Sequence, residues 1–181
     1  MNHLAHFLLT NLLLDDLICS APARIITVSS EWHKPELKQR PPPDFHYDNL
    51  KTEKYHHAQV FYKNSKLANM WFAYELNRRL AGTGVTSNAV CPGFVPAAIG
   101  VRRDSQVAEF FFLQILPRMP FARSLDEASD SYLVAVTQPK FANVGRKFIV
   151  DSEEKESSEE SYNGEKARIL WEKSLEWCKL A

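Results

Sequence analysis

Two rhythms of apolar residues run along this chain, and the switches between them mark out its elements. From His3 to Leu17 apolar side chains occur on most sides of a helical wheel, which predicts a helix buried on two faces. Ala21 to Ala23 breaks that pattern. Arg24-Ile25-Ile26-Thr27-Val28 is then a short β-rich run ending in Ser29-Ser30, and it reads as an interior parallel strand. Glu31 to about His57 is polar, with Pro41-Pro42-Pro43 in its middle. This predicts a long loop, and long ordered loops often carry function. Val60 to Leu80 gives the strongest helical pattern. Leu67, Met70, Trp71 and Tyr74 share one face, and Phe72, Ala73, Leu76 and Leu80 share another. Two apolar faces predict burial on both sides, by the sheet and by a partner subunit. Gly82 and Gly84 end this helix, and Val85 to Cys91 forms a second strand stopped by Pro92-Gly93.

The remainder repeats the alternation. Phe94 to Pro120 is apolar and irregular, with a helix predicted near Val107 to Leu116. Ser124-Leu125-Asp126-Glu127 has the capping-box form, so a helix should run to about Thr137. Gly145 precedes a third strand, Arg146 to Val150. Asp151 to Gly164 is acidic and serine-rich and reads as a solvated surface loop. Glu165 to Leu180 is a final amphipathic helix carrying Leu170, Trp171, Leu175 and Trp177. Helices alternating with strands give an α/β fold with a parallel sheet and crossover helices. There is no internal repeat, and 181 residues make one domain, 1–181.

Composition narrows the function classes. Lys plus Arg number 22 and Asp plus Glu 22, so the formal charge is zero. A nucleic-acid binder or a polybasic membrane patch would show a basic excess. The cysteines, Cys19, Cys91 and Cys178, are scattered and odd in number without CxxC spacing. This suggests neither a disulfide framework nor a zinc site and favours a reducing compartment, as does the lack of an Asn-x-Ser/Thr sequon. The apolar N-terminus has no preceding Lys or Arg, unlike a signal peptide. Asp15 and Asp16 close it before it is long enough to span a bilayer.

The candidate chemistry centres on Tyr62-Lys63-Asn64-Ser65-Lys66. Tyr and Lys four apart on a helix project from one face. A tyrosine with a pKa near ~10 is a poor acid or base at neutral pH, and a cation beside it favours the phenolate. The pair is therefore a plausible proton-transfer device. Ser30 and Pro92-Gly93 both follow predicted strand ends, where open parallel sheets bind ligands. Blander readings compete with these. Ser29-Ser30 also suits a simple turn, and Asn2 a helix cap. Adjacent His56-His57 diverge too far to share a metal, and His3 and His6 lack further ligands. No metal is expected.

Taken together these segments resemble the short-chain dehydrogenase/reductase family, in its retinol-dehydrogenase-like branch. Asn2-His3-Leu4-Ala5-His6-Phe7-Leu8-Leu9-Thr10 resembles the family helix with the catalytic Asn. Arg24 to Ser30 resembles the strand ending in the catalytic Ser. Tyr62-Lys63-Asn64-Ser65-Lys66-Leu67-Ala68-Asn69 resembles the YxxSK signature, and Gly84-Val85-Thr86 through Cys91-Pro92-Gly93 the strand and turn beside the nicotinamide. The resemblance implies an oxidoreductase using NAD or NADP to interconvert an alcohol and a ketone or aldehyde. Tyr62 would be the general acid/base. Lys66 would lower its pKa and hold the nicotinamide ribose. Ser30 would orient the substrate oxygen, and Asn2 would support a proton-relay water. Pro92, Gly93 and Val95 would lie against the cofactor. Phe110, Phe111, Phe112 and Leu113 suggest an apolar substrate such as a retinoid, steroid or lipid. The family also implies a homodimer through the Asn2 and Tyr62 helices, and a place in the cytoplasm or on the cytosolic face of an intracellular membrane.

Two departures qualify this. Pro92-Gly93-Phe94-Val95-Pro96-Ala97 lacks the terminal Thr of PGxVxT, and Ala5 replaces a common Gly. More importantly, no Gly-rich turn joins a strand to a following helix, as a dinucleotide site requires. Gly82 and Gly84, the closest glycines, follow a helix and precede a strand. The expectation is therefore a partial Rossmann-type, doubly wound parallel sheet: the last three strands with flanking helices, without the N-terminal dinucleotide-binding half. Arg24 to Val28 would then be an exposed sheet edge, and the chain alone should bind NAD(P) poorly. The alternative is a catalytically inactive fragment acting through dimerisation or protein contacts.

Overall fold

The computed structural model describes residues 2–35, 45–47, 58–96 and 109–180. A four-stranded sheet has the order β1 (Ala23–Val28), β2 (Val85–Cys91), β3 (Phe148–Val150), β4 (Glu153–Lys155). β1 pairs parallel with β2, Ala23 opposite Val85 through Val28 opposite Val90. β2 pairs parallel with β3, and β3 pairs antiparallel with β4. The predicted α/β class and partial sheet hold, with β1 at one edge. The acidic segment differs from expectation. It is not simply a solvated loop: Glu153–Lys155 adds an antiparallel strand, and Glu159–Tyr162 forms a 3-10 turn. Its side chains are polar, so the strand comes from backbone pairing rather than from side-chain burial.

Alternate strand residues face opposite layers. Ala89, Cys91, Phe148 and Val150 pack on Met70, Ala73 and Tyr74 of α3 (Ala58–Arg79). On the other face, Val90 and Ile149 pack with Ala135 of α4 (Leu125–Thr137) and with Phe141. α3 runs without a Gly or Pro to break it, and it ends ahead of Gly82 and Gly84, which take positive φ. Away from the sheet, α3 is covered by other parts of the same chain. Leu67, Ala68 and Trp71 meet Ala167 and Leu170 of α5 (Gly164–Cys178). The capping box of α4 forms as predicted, with Ser124 and Glu127 bonded reciprocally.

The N-terminal helix is also corrected. It divides into α1 (Leu4–Leu12) and α2 (Leu14–Cys19) at Leu13. Asn11 near the break donates from its side chain to the Phe7 carbonyl, the kind of local bond that competes with helix continuation. Only Phe7 of α1 is buried, and Leu9 and Leu12 are 59% and 64% exposed. The pattern predicts two covered faces; the described residues cover one. The segment around Val107–Leu116 begins in the described part at Glu109, winds as a π-helical turn over Phe111–Ile115, and tightens to 3-10 at Leu116–Arg118. His56-His57 and most of the Glu31–His57 loop lie outside the described residues. No helix among the described residues is long and apolar enough to cross a membrane.

Candidate active site

β1 and β2 run parallel and end together, so the turns that leave them lie at one end of the sheet. After β1 come Ser29 and Ser30; after β2 come Pro92 and Gly93. The first turns of α3 cross the same end with Tyr62 and Lys66. Two bonds fix this crossing. Ser29 Oγ donates to the Lys66 carbonyl at 2.9 Å, and the Asn69 amide donates to the Val28 carbonyl at 2.9 Å. In the sequence Ser29 reads only as part of a turn, and nothing there marks Asn69.

Tyr62 is 39% exposed. Its ring stands edge-on to Trp32, centroids 5.3 Å apart, and the Lys66 ammonium lies 5.5 Å from its ring centre. Burial raises the phenol's pKa, hydrogen bonding toward the Ser30 side chain pulls it down, and the neighbouring Cys91 raises it again. Lys66 is lowered by burial, with Cys91 acting in the opposite direction. In the chain by itself, then, Tyr62 sits above the ordinary tyrosine range. The ammonium lies over the ring.

Ser30 is in extended backbone and caps the 3-10 turn Glu31–His33, its Oγ accepting the Trp32 amide at 3.3 Å. Cys91, the last residue of β2, is buried among these groups. Burial raises its thiol pKa, while the Gly93 and Glu31 backbones and Ser30 oppose the rise. Its central place could not be read from spacing. Asn2 stands in a turn ahead of α1 rather than within a helix, and it donates to Ser65 Oγ at 3.2 Å. Ser65 in turn donates to the Tyr62 carbonyl at 2.7 Å. The structure thus brings Ser30, Tyr62 and Lys66 around Cys91 and attaches Asn2 to the outer side of the Tyr62 turn.

At the end of β2, Gly93 has φ +79°, and a Cβ there would press on the Arg123 side chain at 2.8 Å. Arg123 reaches Asp151 at 3.1 Å and donates its backbone N–H to the Phe94 carbonyl. Val95 is buried. The exposed backbone of Gly93 beside Tyr62 and Lys66 fits the nicotinamide end of a dinucleotide. Nothing in the sequence fits its pyrophosphate, because no strand-to-helix turn is Gly-rich.

No family model matches the chain. Curated relatives do. Human retinol dehydrogenase 12 is 38% identical over 97% of this chain and 52% of its own length. Human retinol dehydrogenase 14 is 35% identical over 95% of this chain and 49% of its own length. The chain belongs to the short-chain dehydrogenase/reductase family. It spans about half the length of these relatives, consistent with a C-terminal half. Human retinol dehydrogenase 11 is 49% identical over 58% of the chain. A crystal structure of an uncharacterised protein from Mycobacterium paratuberculosis, 27% identical, superposes with a TM-score of 0.67. It covers 98% of this chain and 57% of that one. In a chain of this family that spans about half of its relatives, the partial Rossmann sheet is explained.

Proposed function

We propose that this chain carries the catalytic half of an NAD(P)-dependent oxidoreductase that interconverts an alcohol and a ketone or aldehyde. The observation behind this is the convergence of Ser30, Tyr62 and Lys66 beside Pro92-Gly93 at one end of the sheet. Bound NAD or NADP supplies or accepts the hydride. Tyr62 passes the proton at its Oη to or from the substrate oxygen, and the Ser30 hydroxyl donates to that oxygen to orient it. Lys66 would hold the nicotinamide ribose hydroxyls. Its ammonium over the Tyr62 ring favours the phenolate, which offsets the burial that raises the phenol. Asn2 supports the proton-relay water through its hold on the Tyr62 turn. Pro92, Gly93 and Val95 would hold the nicotinamide end of the cofactor.

The substrate in this proposal is apolar: a retinoid, steroid or lipid alcohol or carbonyl. The names of the retinol dehydrogenases support this, as do the exposed Phe110, Phe111 and Leu113. The pyrophosphate and adenosine contacts come from outside these residues, so the chain alone binds the dinucleotide weakly. Calorimetry with NADH and NADPH checks that, and tight binding would refute it. For the chemistry, Tyr62→Phe is expected to lower all-trans-retinal reduction, followed by NADPH consumption, by about 100-fold or more without changing the circular dichroism spectrum. Unchanged turnover would remove Tyr62 from the reaction.

A further inference from the structure

His33 lies in the segment that the sequence presents as a polar loop, yet none of its surface is exposed. Both ring nitrogens are engaged. Nδ1 is 2.6 Å from the Ser30 carbonyl oxygen. That oxygen has no proton to give, so Nδ1 carries one and donates. Nε2 is 3.1 Å from the Ser158 backbone nitrogen. That nitrogen bears a proton, so Nε2 is bare and accepts. The two bonds together define one neutral tautomer. The Ser30 carbonyl also accepts the His33 backbone N–H at 3.2 Å, so His33 grips it twice. The ring stands edge-on to Phe148 of β3, centroids 5.0 Å apart.

The far end of this bridge is itself anchored. The Ser158 carbonyl accepts both the backbone N–H and the hydroxyl of Ser161. The Ser161 hydroxyl continues through Ser157 to the Tyr74 hydroxyl on α3. Trp71 of α3 donates to the Glu160 carbonyl at 2.8 Å. The acidic segment is therefore fastened to the helix that carries Tyr62, and His33 fastens Ser30 to the acidic segment.

We propose that His33 is a positioning residue: by bridging the Ser30 carbonyl to the Ser158 amide, it fixes the turn from which the Ser30 hydroxyl faces Tyr62. This rests on the reading of Ser30 and Tyr62 as the reactive pair. An imidazole suits the task because it donates at one edge and accepts at another with no torsion between them. A hydrocarbon ring of similar size would keep the contact with Phe148 but leave the buried Ser158 N–H without an acceptor.

The test is made on the whole chain and needs no turnover. Ring nitrogen NMR reports the His33 tautomer. Tyrosine absorbance, taken as the difference from a Tyr62→Phe chain, reports Tyr62 ionisation. Lys66 on the same helix and Cys91 from β2 also face the phenol, and both are left unchanged. The expected tautomer is the neutral Nδ1–H form. His33→Phe is expected to raise the Tyr62 midpoint by about half to one pH unit, the size of one lost hydrogen bond. Ser30→Ala should raise it equally, and His33→Phe should add nothing in the Ser30→Ala background. His33→Asn, which retains a donor for the Ser30 carbonyl, should restore most of the shift. An Nε2–H tautomer, an unmoved midpoint in His33→Phe, or additive shifts would overturn the proposal. Should His33→Phe fail to fold, His33→Gln is judged by the same midpoint and the same additivity. A chain that titrates as expected but never turns over keeps the role of His33 and loses the catalytic reading. An active chain with an unmoved midpoint does the reverse.

Discussion

Around Tyr62 three of the side chains that do the holding bond to backbone. Ser29 takes the Lys66 carbonyl, Asn69 the Val28 carbonyl, and His33 the Ser30 carbonyl. The same device recurs at the opposite end of the sheet, where Asn77 Oδ1 accepts the Ser87 amide at 3.0 Å and leaves no room for a Cβ at Gly145. Gly145→Ala must displace the Asn77 amide. It is expected to cost about 1–3 kcal/mol, read as a lower urea midpoint with an unchanged slope. Residues whose partners are close in sequence were legible: Tyr62 and Lys66 face one way because helical spacing makes them do so. Ser29 and the bridge that His33 makes were not, because Lys66 and Ser158 lie 37 and 125 residues away from them, and no local pattern encodes such a pairing. Asn2 was legible as a candidate through the family motif, but its attachment to Ser65 was not.

Among the elements, α1 is held mainly at its first turn. His3 lies 2.9 Å from Ser174 Oγ of α5, and its ring contacts Phe7 and Phe72. Burial lowers its pKa to about 4, His6 adds to that, and Asn69 opposes it. The unfolded chain therefore takes up a proton near the ordinary histidine value of about 6.5, while the folded chain takes it up only near pH 4. Between these values the unfolded state binds more protons, so stability falls as the pH drops from about 6.5 to about 4. Thermal melts across that window should show this slope, and His3→Phe should flatten it. An identical slope in both chains would exclude His3 as its source. The apolar wheel of α1 revealed how much of the helix is hydrophobic, but not which of its faces the described residues cover. β4 escaped prediction for the converse reason. Glu153, Glu154 and Lys155 carry no strand-like side-chain pattern, and the strand exists because β3 offers its backbone.

For the molecule as a whole, the alternation of rhythms encoded the layered order, because each crossover helix must bury a face on the sheet. The two rims of that sheet are unlike. β4 ends it with short, exposed, charged residues, whose Lys147–Glu154 and Lys140–Glu153 ion pairs lie along it. Such a rim discourages further pairing. Beyond β1 there is no further strand among the described residues, and its neighbours α1 and α4 show exposed Leu9, Leu12, Leu133 and Val136. Among the described residues, then, strand addition is open at the β1 rim and discouraged at the β4 rim. Two copies of these residues are expected to pair across their β1 rims, with the charged β4 rims discouraging any longer ladder. Sedimentation velocity over a rising concentration series should show a doubling of mass that then stops. A continuous drift to heavier species would mean that the charged rim does not terminate the sheet.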